Sequence, residues 1–329
     1  MTMQQQVKEL VASVLQKAEA AGGLKSVYLV ACGGSYAGLY PARYFLDAES
    51  TCLRVAQYTS NEFVHVVPKG LGPNSLVITC SFSGATPETA EAGRVGLEHG
   101  AQVTALTARE DSPVARNSSR QIFFGLGQEA RPSSSSICTA LRLAAELVQQ
   151  TEGFPCYAAF QDALEDKIDM AVSRARAHVT RRMEKLAQKY QDESLYYVVG
   201  SGASWGAAYC QAICMFMEMG WLQSSAVHSG EYFHGPFEVT DQETPFLLLL
   251  SEGRTRPLDE RAQRFLEKFS KKLIVLDAKE LGVSVIDKSV AEYFCPVVFG
   301  EAARVFSEEL AKVRKHPLNI RRYMWQMEY

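Results

Sequence analysis

Short apolar runs recur along the chain, each closing on a small polar turn and followed by apolar positions at helical spacing. Ser26 to Ala31 (SVYLVA) runs into Gly-Gly-Ser, and Ser75 to Cys80 (SLVITC) runs into Ser-Phe-Ser-Gly. Gln102 to Leu106 and Gln121 to Phe124 read as two further strands. Apolar strands alternating with helices predict a parallel sheet covered on both faces. Upstream of the first strand, Val7, Leu10, Val11, Val14 and Leu15 mark one face of an amphipathic helix that also carries Lys8 and Glu9. A secretory leader would need an unbroken apolar centre there.

The pattern is written twice. YLVACGGSYAG at Tyr28 returns as YVVGSGASWGA at Tyr197, an offset of 197 − 28 = 169. Glu62 in SNEF matches Glu231 in SGEY, again 231 − 62 = 169. Ser81 pairs with Ser251 and Leu106 with Leu276, both 170 apart. Two copies of one doubly wound unit follow, with domains at residues 1–155 and 193–329. Phe160 to Gln191 is charged and helical in period, so residues 156–192 read as a connecting helix.

Composition narrows the classes. A length of 329 residues suits two domains, and a formal charge of −3 without a long basic run speaks against nucleic acid and anionic membranes as partners. The longest apolar run, Pro245 to Leu250, is far too short to span a bilayer. The cysteines are scattered and form no CxxC pair. Cys210 and Cys214 share a helix face, but buried free thiols are common core residues, so no metal is expected and the setting is a reducing cytoplasm.

The first copy carries a hydroxyl-rich turn, Ser81-Phe82-Ser83-Gly84-Ala85-Thr86, where the second has Ser251-Glu252-Gly253-Arg254-Thr255. In an open parallel sheet, ligands bind beyond the carboxyl ends of the strands, where helix N-termini present free N–H groups. Ser81, Ser83 and Thr86 add hydroxyls, Gly84 permits close backbone approach, and Glu252 would repel an anion from the second turn. Gly33, Gly34 and Ser35 end the neighbouring strand, and Ser134 and Ser135 in the cluster Ser133 to Ser136 precede a helix over Ile137 to Gln149. Singly, such residues are ordinary N-caps; three such loops at one sheet edge point to a phosphate cradle. Gly200-Ser-Gly-Ala-Ser-Trp-Gly206 has the look of a dinucleotide loop, but the next strand ends in His228-Ser229-Gly230 rather than in an acidic residue.

For acid–base chemistry, Glu218 stands in the apolar stretch Met215-Phe-Met-Glu-Met-Gly-Trp221, where desolvation would raise its pKa toward neutrality. Sixteen residues on (234 − 218 = 16), His234 lies in HSGEYFHGP, a Gly/Pro-rich loop after a strand.

Taken together, these residues make the chain resemble the sugar isomerase (SIS) family over essentially its whole length. Ser35 and Ser81 to Thr86 look like that family's phosphate loops. Glu218 and His234 match the acid/base Glu and ring-opening His of the isomerase domain of glucosamine 6-phosphate synthase. Two lysines of that synthase are missing: Tyr323 and Met215 fall at their positions. There is also no glutaminase domain, so the resemblance does not extend to ammonia transfer from glutamine. CGGSYAxxYPA, FMEMGW, HSGEYFHGPFE and the tail RRYMW…EY resemble a narrower group, the fructosamine 6-phosphate deglycases.

The resemblance implies two tandem α/β SIS domains of flavodoxin-like, doubly wound parallel-sheet form. It implies a small-molecule sugar-phosphate substrate, no cofactor, and a homodimer with sites at the subunit interface. His234 would open the sugar ring and Glu218 would move the C1 proton. The substrate's own nitrogen lets C1 become an imine, which explains the loss of the lysines. Glu231, Tyr232 and Arg321 are candidate supporting residues. Two rival readings are aldose–ketose isomerisation of a hexose phosphate by the same Glu and His, and a non-catalytic sugar-phosphate sensor, which would need only the cradle.

Overall fold

The computed structural model describes residues 2–125 and 131–328, and the chain divides into two compact units, Met1–Asp166 and Lys167–Tyr329. Tyr329, the last residue of the tail motif, lies outside the described residues.

In the first unit the elements are α1 (Met3–Glu19), β1 (Ser26–Ala31), α2 (Gly33–Glu49), β2 (Arg54–Thr59), α3 (Ser60–Val66), β3 (Ser75–Ser81), α4 (Pro87–Glu98), β4 (Gln102–Thr107), α5 (Pro113–Arg116), β5 (Arg120–Phe123), α6 (Ser136–Thr151) and α7 (Tyr157–Asp162). The sheet is parallel throughout, in the order β2-β1-β3-β4-β5. β1 and β3 are buried along their whole length, which is why they read as unbroken apolar runs. Fully burying a Val or Leu side chain contributes ~1.5–3 kcal/mol, so these central strands supply much of the core. β2, with Arg, Gln and Thr among its six residues, is a half-exposed edge strand whose polar positions hide it from an apolar-run search.

The second unit holds α8 (Ile168–Lys189), β6 (Leu195–Gly200), α9 (Trp205–Cys210), a π-helical continuation over Gln211–Met219, β7 (Gln223–His228), β8 (Phe246–Leu250), α10 (Arg256–Phe269), β9 (Leu273–Asp277) and α11 (Ala291–Val313). Its sheet order is β7-β6-β8-β9, the first unit's order without the fifth strand. The repeat offsets reappear in the strands: β1 to β6 is 195 − 26 = 169, β2 to β7 is 223 − 54 = 169, and the ends of β4 and β9 differ by 277 − 107 = 170.

One boundary differs from the sequence reading. The segment taken as a separate connecting helix is split: α7 belongs to the first unit and α8 to the second. The reason lies in α8's own pattern. Ala171, Val172, Ala175, Val179 and Met183 form a buried stripe at helical spacing, which packs on α11. Arg176 on α8 also pairs with Glu301 (2.9 Å) and Glu308 (3.2 Å) on α11.

Candidate active site

At the carboxyl edge of the first sheet the chain runs from β1 to β2 on one side and from β3 to β4 on the other. The switch point therefore falls between β1 and β3, where doubly wound proteins bind ligands. Three loops meet there. The Ser35 hydroxyl comes near enough to the Cys80 thiol to pull its pKa down, which brings the start of α2 to the end of β3. Phe82 packs near Phe124, with ring centroids 6.0 Å apart, and the Gly125 N–H donates to the Ser134 carbonyl (3.0 Å).

Within this edge the candidate cradle residues do different things. Ser135 is an N-cap, accepting from the Cys138 N–H (3.3 Å), and the Ser134 hydroxyl bonds Arg131 across its own turn. Cys32 and Thr86 hold the N-cap positions of α2 and α4, yet neither side chain caps its helix. The Thr86 hydroxyl instead bonds that of Ser81 (3.0 Å), which also accepts from the Gly84 N–H (3.1 Å). Ser83 is exposed and accepts from the Ala85 N–H (3.2 Å). Two neighbouring helices thus begin without side-chain caps, beside a web of hydroxyls, which is a setting for a dianion. Gly84 is required by its backbone: its φ is +65°, and a Cβ there would run into the Ser112 side chain. Gly33 (φ +53°) and Gly34 lie exposed at the start of α2. Burial pushes the Cys80 thiol up to about 12 against the pull of Ser35, so it is a neutral packing group there.

The second unit fills its equivalent edge with its own carboxylate. Asp259, fully buried in the first turn of α10, accepts from Ser201 Oγ, Ser229 Oγ and Ser251 Oγ, each at 2.6 Å, and from the Ser251 N–H at 3.1 Å. Its counterpart at offset 170 is Thr89 (259 − 170 = 89), and Ser229 corresponds to Ser60 (229 − 169 = 60). In the first unit those two share a neutral hydroxyl pair at 2.9 Å. The carboxylate that fills the second edge is Asp259. Glu252, the residue singled out from the sequence, lies 3.9 Å from Arg256. The signal was present, since Pro87 and Pro257 both open their helices at offset 170 and so align Asp259 with Thr89.

Glu218 also departs from expectation. It is not enclosed by apolar side chains: one quarter of its side chain is exposed, and its carboxylate is gripped by Arg321 through Nη2 (2.8 Å) and Nε (3.0 Å). Glu218 lies in the π-helical stretch, whose i→i+5 bonding departs from the 3.6-residue spacing assumed from the sequence, and its neighbour Met217 is exposed. Such stretches gather at functional sites. Glu218 lies at a cavity of about 570 Å³, walled by Ile213, Met217 and Trp221 on one side and by Arg321, Arg322 and Tyr323 of the tail on the other.

His234 stands exposed on the turn after β7 and does not line that cavity within the chain. Glu231 is likewise exposed on this turn. Tyr232 is fully buried in the core of the unit, with its hydroxyl bonded to Thr240, so it shapes the loop rather than facing a ligand. Burial lowers the pKa of His228, outweighing Asp259 and Glu231, and its Nδ1 accepts from the Gly230 N–H (3.1 Å). Among the described residues no group of three or more His, Cys, Asp or Glu could hold a metal, and no helix is long and apolar enough to cross a membrane.

Residues 24–146 match the SIS domain model, which places the first unit in the class of sugar-isomerase domains. Fructosamine deglycase FrlB of Bacillus subtilis (strain 168) is 40% identical over 305 residues, 92% of each chain. Fructoselysine 6-phosphate deglycase of Escherichia coli (strain K12) is 26% identical over 78% of this chain and 74% of that one. A solved structure from Salmonella typhimurium LT2, described as a phosphosugar isomerase, superposes with a TM-score of 0.94 at 40% identity, covering 100% of this chain and 99% of that one. The chain belongs to the SIS family and, within it, to the group of fructosamine deglycases.

Proposed function

We propose that this chain cleaves a 6-phosphorylated fructosyl-amino acid, taking up water and releasing glucose 6-phosphate and the free amino acid. The observation that carries this reading is Glu218, a carboxylate fixed by a guanidinium at 2.8 Å beside a cavity large enough for a small substrate. The hydroxyls of Ser35, Ser81, Ser83 and Thr86 and the uncapped starts of α2 and α4 hold the 6-phosphate. His234 protonates the ring oxygen and opens the ring to expose the C2 carbonyl. Glu218 removes a proton from C1, giving a 1,2-enaminol, and a proton is then delivered to C2. The C1 imine that results adds water, and its C–N bond breaks to leave the aldehyde of glucose 6-phosphate and the amine. The catalyst is a homodimer in which His234 serves the partner subunit's cavity. Its exposure on the turn, outside the cavity of its own chain, supports this arrangement.

A positioned acid/base group contributes ~10²–10⁴ in rate. Glu218→Gln should lower kcat on that scale, while KM stays close to that of the unaltered protein. Glucose 6-phosphate release in a coupled assay measures this, and full turnover by Glu218→Gln would end the assignment. The description of the Salmonella structure favours a second reading, isomerisation of a simple hexose phosphate. Product analysis separates the two, because only the deglycase liberates an amine.

A further inference from the structure

The cavity beside Glu218 has a charge that the proposed proton transfers do not use. Its lining carries the guanidinium groups of Arg321 and Arg322 and the carboxylate of Glu218, a net +1 (two minus one). Arg321 is committed to Glu218. Arg322 is not committed: its guanidinium lies 4.3 Å from the centre of the Trp221 ring, and among the described residues no carboxylate pairs with it.

Trp221 takes up its position at a cost. Its backbone sits at φ +53°, a left-handed conformation that costs a non-glycine residue ~1–2 kcal/mol. The chain reaches it directly from the π-helical stretch through Gly220. The indole packs near both His316, with ring centroids 4.5 Å apart, and Arg322, while still walling the cavity. Strain of this kind persists where the surroundings fix a geometry that serves a site. A guanidinium stacked on an aromatic face keeps its edge N–H donors free, and that edge matches a carboxylate.

We infer that this cavity receives the aminoacyl part of the substrate, with Arg322 pairing its α-carboxylate and Trp221 and Met217 lining its side chain. The inference rests on the deglycase reading and names what that reading leaves open. Glu218 acts at C1, the nitrogen is bonded to C1, and in an α-linked adduct the carboxylate is the next group but one. A bound α-carboxylate also cancels the net positive charge of the lining.

The test compares two substrates that differ by one carboxylate, 6-phosphofructosyl-glycine and 6-phosphofructosyl-methylamine, on the full-length protein. A charge-assisted hydrogen bond contributes ~1.5–3 kcal/mol, and the lower end applies at an exposed arginine. The unaltered protein should therefore prefer the glycine adduct in kcat/KM by about tenfold. Arg322→Met should bring that ratio down toward one, mainly through KM, and Arg322→Lys should recover part of it. Equal use of both adducts by the unaltered protein, or an unchanged preference in Arg322→Met, would overturn the inference and leave the deglycase reading standing. Failure to cleave either adduct would overturn the deglycase reading, and the inference with it.

Discussion

Replacing Asp259 by Ala tests whether the second unit's sheet edge is an anion site occupied by the protein itself. The substitution removes the acceptor of four hydrogen bonds, three from hydroxyls and one from the Ser251 N–H. Each bond to a charged acceptor is worth ~1.5–3 kcal/mol, but the recovered cost of burying the carboxylate offsets part of the sum. A net loss of ~3 kcal/mol is expected, which in a unit of this size lowers Tm by ~6–12 °C. The informative step is rescue. Three serine hydroxyls and an N–H at the end of a parallel sheet should accept inorganic phosphate in place of the carboxylate. At ~100 times its Kd, phosphate stabilises by ~2.7 kcal/mol, enough to restore most of the loss. The proposed cradle of the first unit should also respond to phosphate, so the quantity to measure is the gain of Asp259→Ala beyond that of the unaltered protein. Calorimetric titration should find two phosphates per chain in the variant and one in the unaltered protein. Asp259→Thr, which copies Thr89, should open the same site with a smaller loss. Equal phosphate stabilisation of Asp259→Ala and the unaltered protein would refute the reasoning.

Two further predictions follow from other residues. Mixing and reassembling inactive Glu218→Gln and His234→Asn chains should restore about one quarter of full activity, because half the dimers are mixed and half their sites regain both residues; no recovery would place both residues of a site on one chain. Because burial lowers the pKa of His228, its unfolded form takes up a proton first as pH falls below 6.5, so stability drops between pH 7 and the lower folded value. Denaturant melts across that range should show this component vanish in His228→Gln, and identical pH dependence in the two proteins would contradict it.

The scaffold was legible because it is repetitive and apolar. Buried parallel strands such as β1 and β3 cannot alternate in polarity, so their runs stand out, and the offset of 169 survives in both the sequence and the strand ends. β2 escaped notice because an edge strand with Arg54, Gln57 and Thr59 has no such run. The cluster of hydroxyls at the first sheet's carboxyl edge was legible, but not the difference between Ser135, which caps its own helix, and Thr86, which does not. That distinction depends on where a hydroxyl points, and composition carries no such information.

Glu218 shows the limit most clearly. A reading at 3.6 residues per turn surrounds it with Met, Cys and Trp and implies a desolvated acid. The widened turn breaks that spacing, and a tail about one hundred residues further on (321 − 218 = 103) brings Arg321 to its carboxylate. No local pattern announces either the change of helical period or a partner so distant. The Thr89–Asp259 pair, by contrast, was readable from the repeat alone. The two units share a repeated frame and differ at this edge in the charge they carry. At matched positions the first unit carries a hydroxyl pair and the second a buried carboxylate, and on the proposed reading that one change keeps one crevice for ligand and closes the other.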